Sequence, residues 1–344
     1  MNVKWGVIGS AGIARRRTIP EGIVNAENAE LAAVFDINTE ANAEVAAEYG
    51  ARPCASEAEL LAADVDVVYI ATPAFEHYAQ IQRAAEAGKH VLCEKPLSLT
   101  VEECDRALDI CAAKGVQLGT GFMMRFHAQH QAALEYLREG RLGLPILGRA
   151  QLSCWYPPIP GAWRQEPEKG GGGSLMDMGG HCIDLLEMFL GRAVSVFCST
   201  GNLVQQYASE DTATVLLEFE SGARGMVDCL FNVPDISSLN RLELYGSLGS
   251  ILAEGTIGQG ESGRMVARLD ASAAEYAAQQ ARDADGGIPL NPVPVNMYRA
   301  EVEAFSQAIL DGTPPPVSGE DGRWSQVVLA ACYESARTHA CITL

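Results

Sequence analysis

The chain has 344 residues, of which 48% are hydrophobic and 20% charged, and its formal net charge is −19. This length suits about two globular domains, and the negative charge argues against nucleic acids and anionic membranes as partners, because both need a basic binding face. No apolar run reaches the roughly 18 residues that span a bilayer, and the N-terminus has no signal-peptide pattern. The ten cysteines lie singly along the chain. This pattern favours reduced thiols and a cytoplasmic location, and gives no metal-ligand spacing.

The first predicted unit is a strand, a glycine turn and a helix. Val3–Ile8 is the apolar strand, and a helical stretch continues to about Ala26. The turn between them consists of Gly9, Ser10, Ala11, Gly12 and Ile13. A glycine turn in this context typically binds a dinucleotide, because the helix N-terminus offers free N–H groups to a pyrophosphate. Ala11 departs from the usual G-x-G-x-x-G/A pattern, so a turn that merely opens a βαβ unit stays open as an alternative.

An acidic residue after the second strand indicates which dinucleotide fits. Leu31–Phe35 is apolar and ends at Asp36, which lies 22 residues after Ala14. The acid that binds the adenosine ribose 2′-hydroxyl is expected about 20 residues after the turn. Ile37 follows, and no Arg or Lys stands beside it to receive a 2′-phosphate. The pattern therefore favours NAD over NADP.

Strand and helix patterns then alternate as far as residue 120. Helices are predicted over Ala41–Tyr49, Glu57–Ala63, Glu76–Ala87 and Thr100–Lys114, and strands over Val65–Ile70, His90–Cys93 and Val116–Thr120. Such alternation predicts a doubly wound parallel sheet that binds ligands beyond the C-terminal ends of its strands. Two motifs fall at such ends, Ala71-Thr72-Pro73 and Glu94-Lys95-Pro96. For the nearby His77, cofactor contact and a place on the helix surface are both open.

Lys95 is a candidate for chemistry because Pro96 fixes its backbone beside the carboxylate of Glu94. A solvated surface turn is the alternative interpretation of this triplet. If the lysine acts on a ligand, its angle to that ligand matters. We therefore expect a cis peptide bond between Lys95 and Pro96.

After Gly121 the pattern changes to that of an α+β domain. Strands are predicted over Gly148–Tyr156, Val194–Gly201, Thr212–Phe219, Arg224–Phe231, Arg241–Gly246 and Ser250–Ala253, and helices over Phe126–Gly140, Ala273–Ala284, Tyr298–Leu310 and Asp321–Thr338. Short connections between strands indicate antiparallel neighbours. The fold expected is α/β, with a nucleotide-binding domain over 1–121 and a second domain over 122–344 that has a large, open, mainly antiparallel sheet.

The second chemical candidate is the stretch from Gly170 to Asp184, which begins with four glycines. Asp177, His181 and Asp184 are spaced four and three residues apart, so they share one helical face. A carboxylate and an imidazole in one cleft suit acid–base catalysis, because histidine titrates near neutrality. Two alternatives are a structural bridge within the helix and a metal site, although Asp-x3-His is not a zinc signature. Asp184 is expected to support the other two.

Taken in order, these motifs resemble the Gfo/Idh/MocA family, named after glucose–fructose oxidoreductase, inositol dehydrogenase and rhizopine catabolism. The resemblance covers almost the whole chain and rests on residues 9–14, 71–77, 94–96, 121–126, 163–164, 172–181 and 333–337. It implies a Rossmann domain, then a domain whose open sheet often forms oligomer contacts, and hence a homodimer or homotetramer. Active members transfer a hydride between a nicotinamide cofactor and a sugar or polyol carbon.

The resemblance also implies roles for single residues. Lys95 resembles the lysine that orients the substrate hydroxyl, His181 the acid/base, and Asp177 the polar partner of that histidine. Substrate contacts are implied for Lys95, Arg125, Trp163, Asp177, His181 and Tyr298. Cofactor contacts are expected for Gly9, Ser10, Ala11, Gly12, Ile13, Asp36, Ile37, Ala71, Thr72, Pro73, His77, Glu94, Lys95 and Arg164. No metal is expected.

Three functions are compatible with the sequence. The first is an NAD-dependent oxidoreductase that acts on a sugar, a polyol or a sugar derivative. The second is a non-catalytic sensor of the same fold, although such relatives tend to lose the lysine–histidine pair that this chain keeps. The third is an NAD-dependent glycosidase, in which the cofactor is reduced and reoxidised within one cycle. The sequence leaves open the substrate, the direction of the reaction, and whether Lys95 or His181 is the formal base.

Overall fold

A six-stranded parallel sheet forms the first half of the computed structural model, which describes residues 2–270 and 286–344. Its strands are β1 (Val3–Ile8), β2 (Ala29–Phe35), β3 (Arg52–Pro53), β4 (Val67–Ile70), β5 (His90–Glu94) and β6 (Leu118–Gly121). Their spatial order is β3-β2-β1-β4-β5-β6, and all neighbours are parallel. The order reverses between β1 and β4, which makes a crevice at their C-terminal ends. The predicted doubly wound sheet is confirmed.

Helices cover both faces of this sheet, which explains its continuous apolar strands. They are a π-helix (Ala14–Ile23), α1 (Thr39–Tyr49), α2 (Glu57–Leu61), α3 (Ala74–Glu86) and α4 (Val101–Lys114). One face packs Trp5 and Tyr69 against Ile19 of the π-helix. The opposite face packs Ile70 against Ile81 of α3. All four residues of β4 are accordingly buried.

A nine-stranded sheet forms the second half. Its strands are β7 (Pro145–Ser153), β8 (Ala193–Gly201), β9 (Thr212–Phe219), β10 (Arg224–Leu230), β11 (Arg241–Gly246), β12 (Gly249–Glu254), β13 (Arg264–Leu269), β14 (Ile288–Pro289) and β15 (Ile342–Thr343). The order is β14-β13-β12-β11-β7-β10-β9-β8-β15, and only the β7–β10 pair among them is parallel. The sheet is therefore mainly antiparallel, as predicted, although β13, β14 and β15 were not predicted.

The remaining helices lie on the inner face of this sheet or against the first half. They are α5 (Ala128–Arg138), α6 (Pro167–Gly170), a second π-helix (Leu175–Gly179), α7 (Gly180–Leu190), α8 (Met297–Asp311) and α9 (Gly319–Thr338). The helix predicted over Phe126–Gly140 starts later, because His127 is extended and accepts a hydrogen bond from the Gln129 N–H as an N-cap. The helix predicted over Ala273–Ala284 lies outside the described residues.

Helix α8 joins the two halves of the molecule. Phe305 packs edge-on against Trp5 with ring centroids 5.9 Å apart, and Trp5 Nε1 donates to Ser306 Oγ at 3.1 Å. Val302 and Phe305 belong to the core of the parallel sheet, although they lie beyond residue 121. The second half is thus anchored on the parallel sheet. None of the described helices is long and apolar enough to cross a membrane.

Candidate active site

The structure brings together the two motifs that sequence analysis selected. Lys95 follows β5, and its Nζ donates to Oδ1 of Asp177 at 2.8 Å and to the carbonyl oxygen of the same residue. The peptide bond between Lys95 and Pro96 is cis, as predicted. Asp177 lies in the second π-helix, a local form of helix that is common at functional sites. A residue at the end of the first sheet is therefore joined to the helix above it.

Asp177 binds a second cation as well. Arg164 Nε donates to Asp177 Oδ1 at 2.9 Å, and its guanidinium lies 4.2 Å from the ring centroid of Trp163. Burial alone would raise the pKa of Asp177, but Arg164 and Lys95 outweigh burial and hold the pKa below its usual range. Asp177 is thus a permanent carboxylate between two cations. The sequence predicted Arg164 as a cofactor contact, and the structure places it with Lys95, Asp177 and His181. We call these four residues the catalytic cluster.

His181 lies one turn beyond Asp177, at the beginning of α7. It is 7% exposed, its ring meets Phe122 edge-on, and Nδ1 is buried without a hydrogen-bond partner among the described residues. Burial and the charge of Lys95 hold its pKa well below 6.5, although Asp177 opposes this effect. A neutral imidazole results. Asp177 makes no hydrogen bond to His181, because the carboxylate takes its stronger, charge-assisted bonds from Lys95 and Arg164.

The glycine turn has the geometry that close approach to a ligand requires. Gly9 has φ +88°, and a Cβ there would lie 2.8 Å from the carbonyl carbon of Ala71, so only glycine fits. Asp36 accepts hydrogen bonds from the N–H groups of Ala11 and Asn38, each at 2.8 Å. The carboxylate therefore stands at the turn, on the edge of the crevice. The neighbouring Ile37 is exposed and offers no positive charge to a 2′-phosphate. This donor set fits NAD despite the departure at Ala11.

His77 is buried and does not lie on the helix surface. It is 1% exposed, its Nδ1 lies 2.7 Å from the Pro96 carbonyl oxygen, and its Nε2 lies 2.9 Å from that of Thr72. The imidazole thus connects the loops that follow β4 and β5. Both ring nitrogens are occupied by backbone oxygens, which indicates a supporting role, and contact with the cofactor stays a prediction.

Glu94 is directed into the sheet under Lys95. Its Oε1 accepts a hydrogen bond from the Tyr69 hydroxyl at 2.5 Å, and that hydroxyl accepts one from Thr18 Oγ1 at 2.9 Å. Burial raises the pKa of Glu94. Sequence reasoning missed Tyr69 and Thr18. The signal for Tyr69 was its place on β4, because its register partner on β5 is Leu92 and Glu94 follows two residues later on the same face of the sheet.

Two residues that were predicted to contact substrate, Arg125 and Tyr298, have protein partners in the structure. Arg125 donates through Nε and Nη2 to Asp184 at 2.6–3.0 Å, and Nη2 reaches Asp321 at 3.3 Å. Because Asp184 is only 2% exposed, its charge needs this cation, so the donors of Arg125 are directed at carboxylates and its contact with substrate stays a prediction. Tyr298 is 3% exposed at the start of α8 and packs in the core, and its contact with substrate stays a prediction.

Tyr156 is an additional residue beside the cluster. Burial raises its pKa, while the neighbouring Arg164 lowers it. Its ring packs on Phe231, with centroids 4.8 Å apart. No group of three or more His, Cys, Asp or Glu side chains in the described part of the chain could hold a metal ion. The charges of Lys95 and Arg164 would in any case repel a cation beside Asp177.

Comparison with known proteins agrees with this architecture. Residues 3–122 match the model of the "Oxidoreductase family, NAD-binding Rossmann fold", and residues 130–252 match the "GFO/IDH/MocA C-terminal domain". The chain is 31% identical to the 1,5-anhydro-D-fructose reductase of Ensifer adhaerens, over 97% of this chain and 96% of that protein. It is also 31% identical to D-xylose 1-dehydrogenase (NADP(+)) 2 of Haloferax volcanii, over 99% of both.

A solved structure shares the fold over its full length. It is the aldose–aldose oxidoreductase of Caulobacter crescentus in complex with glycerol, with a TM-score of 0.88 and 26% identity over 100% of both chains. Both halves of the present chain thus have counterparts among proteins that act on sugars. The chain belongs to the Gfo/Idh/MocA family of oxidoreductases and carries the NAD-binding Rossmann domain of that family.

Proposed function

We propose that the protein is an NAD-dependent oxidoreductase that transfers a hydride between the nicotinamide cofactor and a sugar or polyol carbon. The observation that carries this proposal is the contact of Lys95 with Asp177, one helical turn from the neutral His181. A non-catalytic sensor would have no need of a cation held against a permanent carboxylate next to an unbonded imidazole. The related sugar and polyol dehydrogenases and reductases support the same class of reaction.

The residues divide the chemistry of alcohol oxidation between them. His181 accepts the hydroxyl proton, because it is neutral and its ring has no hydrogen bond to a described residue. Lys95 uses two of its three N–H donors on Asp177, and the third stabilises the negative charge that develops on the substrate oxygen. Bound NAD⁺ would supply the hydride acceptor. Asp177 and Arg164 keep the ammonium group of Lys95 in place.

The same residues indicate how the cofactor would be held. The N–H groups of the turn from Gly9 to Ile13 would bind the pyrophosphate, as helix N-termini do. Asp36 would accept a hydrogen bond from the adenosine ribose. Ala71, Thr72 and Pro73 end β4 on the same side of the sheet, between this turn and Lys95. The cofactor would therefore extend from Asp36 toward the catalytic cluster.

A screen of cofactor reduction tests this function directly. The purified protein is incubated with NAD⁺ or NADP⁺ and a panel of aldoses, polyols and sugar acids, and absorbance of the reduced cofactor is followed. Reduction of NAD⁺ with at least one sugar or polyol is expected. NAD binding without turnover on any substrate would instead identify a sensor, and release of an aglycone without net NADH would identify a glycosidase. A strong preference for NADP⁺ would contradict the role of Asp36.

The acid limb of the pH profile reports His181. Because its pKa is well below 6.5, the imidazole stays neutral as pH falls to that value, and kcat for oxidation is expected to stay constant. The reverse reaction needs the protonated ring, so the reduction rate should rise as pH falls. Steady-state rates in both directions, in the wild type and in His181→Gln, measure this. A limb in oxidation at or above 6.5 that disappears in His181→Gln would show that the pKa of His181 is not lowered, and rates in both directions that are the same in His181→Gln as in the wild type would remove His181 from the proton transfer.

We also propose that the protein is a cytoplasmic homo-oligomer that associates through the outer face of the nine-stranded sheet. On that face Phe197 of β8 stands opposite Leu216 of β9, which stands opposite Met226 of β10. Phe197 is 41% and Leu216 48% exposed, which leaves an apolar row open to solvent. Sedimentation velocity should give a dimer or tetramer, and Leu216→Glu should give the monomer. A monomeric wild type would contradict this arrangement.

A further inference from the structure

A buried carboxylate caps the helix that carries the catalytic residues. Glu210 precedes β9, and a single oxygen, Oε1, accepts three hydrogen bonds. The donors are the N–H groups of Gly173 at 2.8 Å and Leu175 at 3.0 Å, and the hydroxyl of Tyr333 at 2.9 Å. The Ser174 N–H donates to the carbonyl oxygen of Glu210 at 3.0 Å. Three successive amides at the beginning of the second π-helix are therefore satisfied by one residue from another element.

Two glycines of the run, Gly172 and Gly173, allow Glu210 and Tyr333 to approach the backbone this closely. A Cβ on Gly173 would lie 2.0 Å from the carbonyl oxygen of Glu210, and a Cβ on Gly172 would lie 1.8 Å from the hydroxyl oxygen of Tyr333. Both distances are far below van der Waals contact. Any larger residue would displace Glu210 or Tyr333. Gly172 and Gly173 are thus closely packed against these two residues, and the contact made by Tyr333 explains part of the closing motif at 333–337.

The capping bonds connect directly to the catalytic cluster. A helix start leaves its first N–H groups without partners, and the residue before this helix, Ser174, makes no side-chain cap. Glu210 supplies the acceptor instead, and its charge suits the positive end of the helix dipole. The Asp177 N–H donates to the Gly173 carbonyl oxygen at 3.0 Å, and Asp177 in turn binds Lys95. The position of Gly173 therefore sets that of Asp177.

We propose that Glu210 and Tyr333 form a clamp that positions Asp177 and His181 for hydride transfer. Glu210 is a positioning residue, since no described contact joins it to Lys95, to Arg164 or to the turn from Gly9 to Ile13. The inference rests on the proposed function. It attributes the positions of Asp177 and His181 to two residues outside the catalytic cluster. Without the clamp, four consecutive glycines would leave the start of the helix free to move.

The test uses variants that separate charge, hydrogen bonding and bulk. Glu210→Ala removes the acceptor, whereas Glu210→Gln can keep an oxygen at the place of Oε1 and all three bonds. Tyr333→Phe removes one donor without a change of shape. Tyr245→Phe is the matched control. Tyr245 lies on β11 of the nine-stranded sheet, and its hydroxyl also donates to a carboxylate, that of Glu243 at 2.8 Å. Measurements are kcat, KM, NADH affinity by fluorescence, and hydrogen exchange of the peptide covering 173–181.

Glu210→Ala is expected to lower kcat by about 10²-fold, as displacement of a catalytic group by about 1 Å does, with NADH affinity unchanged. Glu210→Gln should restore most of kcat, Tyr333→Phe should lose less than Glu210→Ala, and Tyr245→Phe should match the wild type. Exchange at 173–181 should accelerate in Glu210→Ala. If that variant does not fold, Glu210→Gln and Tyr333→Phe decide through the same measurements.

Three results would overturn the clamp. The kcat of Glu210→Ala could equal that of the wild type, or Glu210→Gln could lose as much kcat as Glu210→Ala. Glu210→Ala could also lose kcat and NADH affinity together, which would indicate general destabilisation. If the wild type turns over no sugar or polyol at all, the proposed function fails. The exchange rates at 173–181 would still decide whether Glu210 and Tyr333 hold this segment, so the two failures are distinguishable.

Discussion

Replacement of Lys95 by methionine is expected to lower kcat by about 10²–10³-fold, the effect of removing one donor that stabilises an oxyanion. Methionine has similar length and no charge, so packing beside Pro96 is retained. Asp177 keeps its bond from Arg164 at 2.9 Å, so no buried carboxylate is left unpaired. NADH affinity should fall much less than kcat, because the turn from Gly9 to Ile13 and Asp36 are untouched and only the contact of Lys95 is lost. Steady-state kinetics and a fluorescence titration with NADH measure the two effects.

Lys89→Met is the matched control for this variant. Lys89 stands at the opposite end of β5, where its Nζ donates to the Val65 carbonyl oxygen at 2.8 Å. Like Lys95, it flanks β5 and donates to a backbone carbonyl oxygen, but it lies at the end of the strand away from the catalytic cluster. Full turnover by Lys95→Met, or equal losses in the two variants, would remove Lys95 from the mechanism.

The predictable part of the site is the part that local pattern determines. Strand β5 is an apolar run that a proline ends, so the sequence could assign Lys95 to the ligand side of a parallel sheet. The same reasoning gave Gly9 and Asp36, because a turn and the residue after a strand depend on few neighbours. Each of these positions follows from the order of strand, turn and helix, and the structure agrees with all three.

The unpredictable part depends on partners that are distant along the chain. The contact of Glu210 with Tyr333 joins residues 123 positions apart, and nothing in either segment specifies the other. Short strands such as β14 and β15 have two residues each, too few to carry a period of two. The pairing of Arg125 with Asp184 was missed for the same reason, because a sequence motif indicates a charged residue but not which buried carboxylate it neutralises.

The Arg125 ion pair leads to the largest expected effect on stability. Arg125→Met should lower the free energy of unfolding by about 3–5 kcal/mol, because it leaves a buried carboxylate at Asp184 without its cation. Arg83→Met is the matched control. Arg83 also makes a bidentate pair, with Glu57 at 2.6 and 2.9 Å, but its side chain is 46% exposed. Exposed pairs contribute about 0–1 kcal/mol, so this loss should be small. Urea unfolding measures both variants.

The pH dependence separates an unpaired charge from lost packing. Burial already raises the pKa of Asp184 above 3.8 despite Arg125, and loss of the cation should raise it further. A carboxyl whose folded pKa is raised stabilises the fold at low pH and loses that contribution as pH rises through the folded pKa. The defect of Arg125→Met should therefore be largest at neutral pH and shrink toward acid, and Arg125→Met with Asp184→Asn should recover much of it. A defect that is equal at all pH values, or no larger than that of Arg83→Met, would show that packing rather than the buried charge of Asp184 determines the role of Arg125.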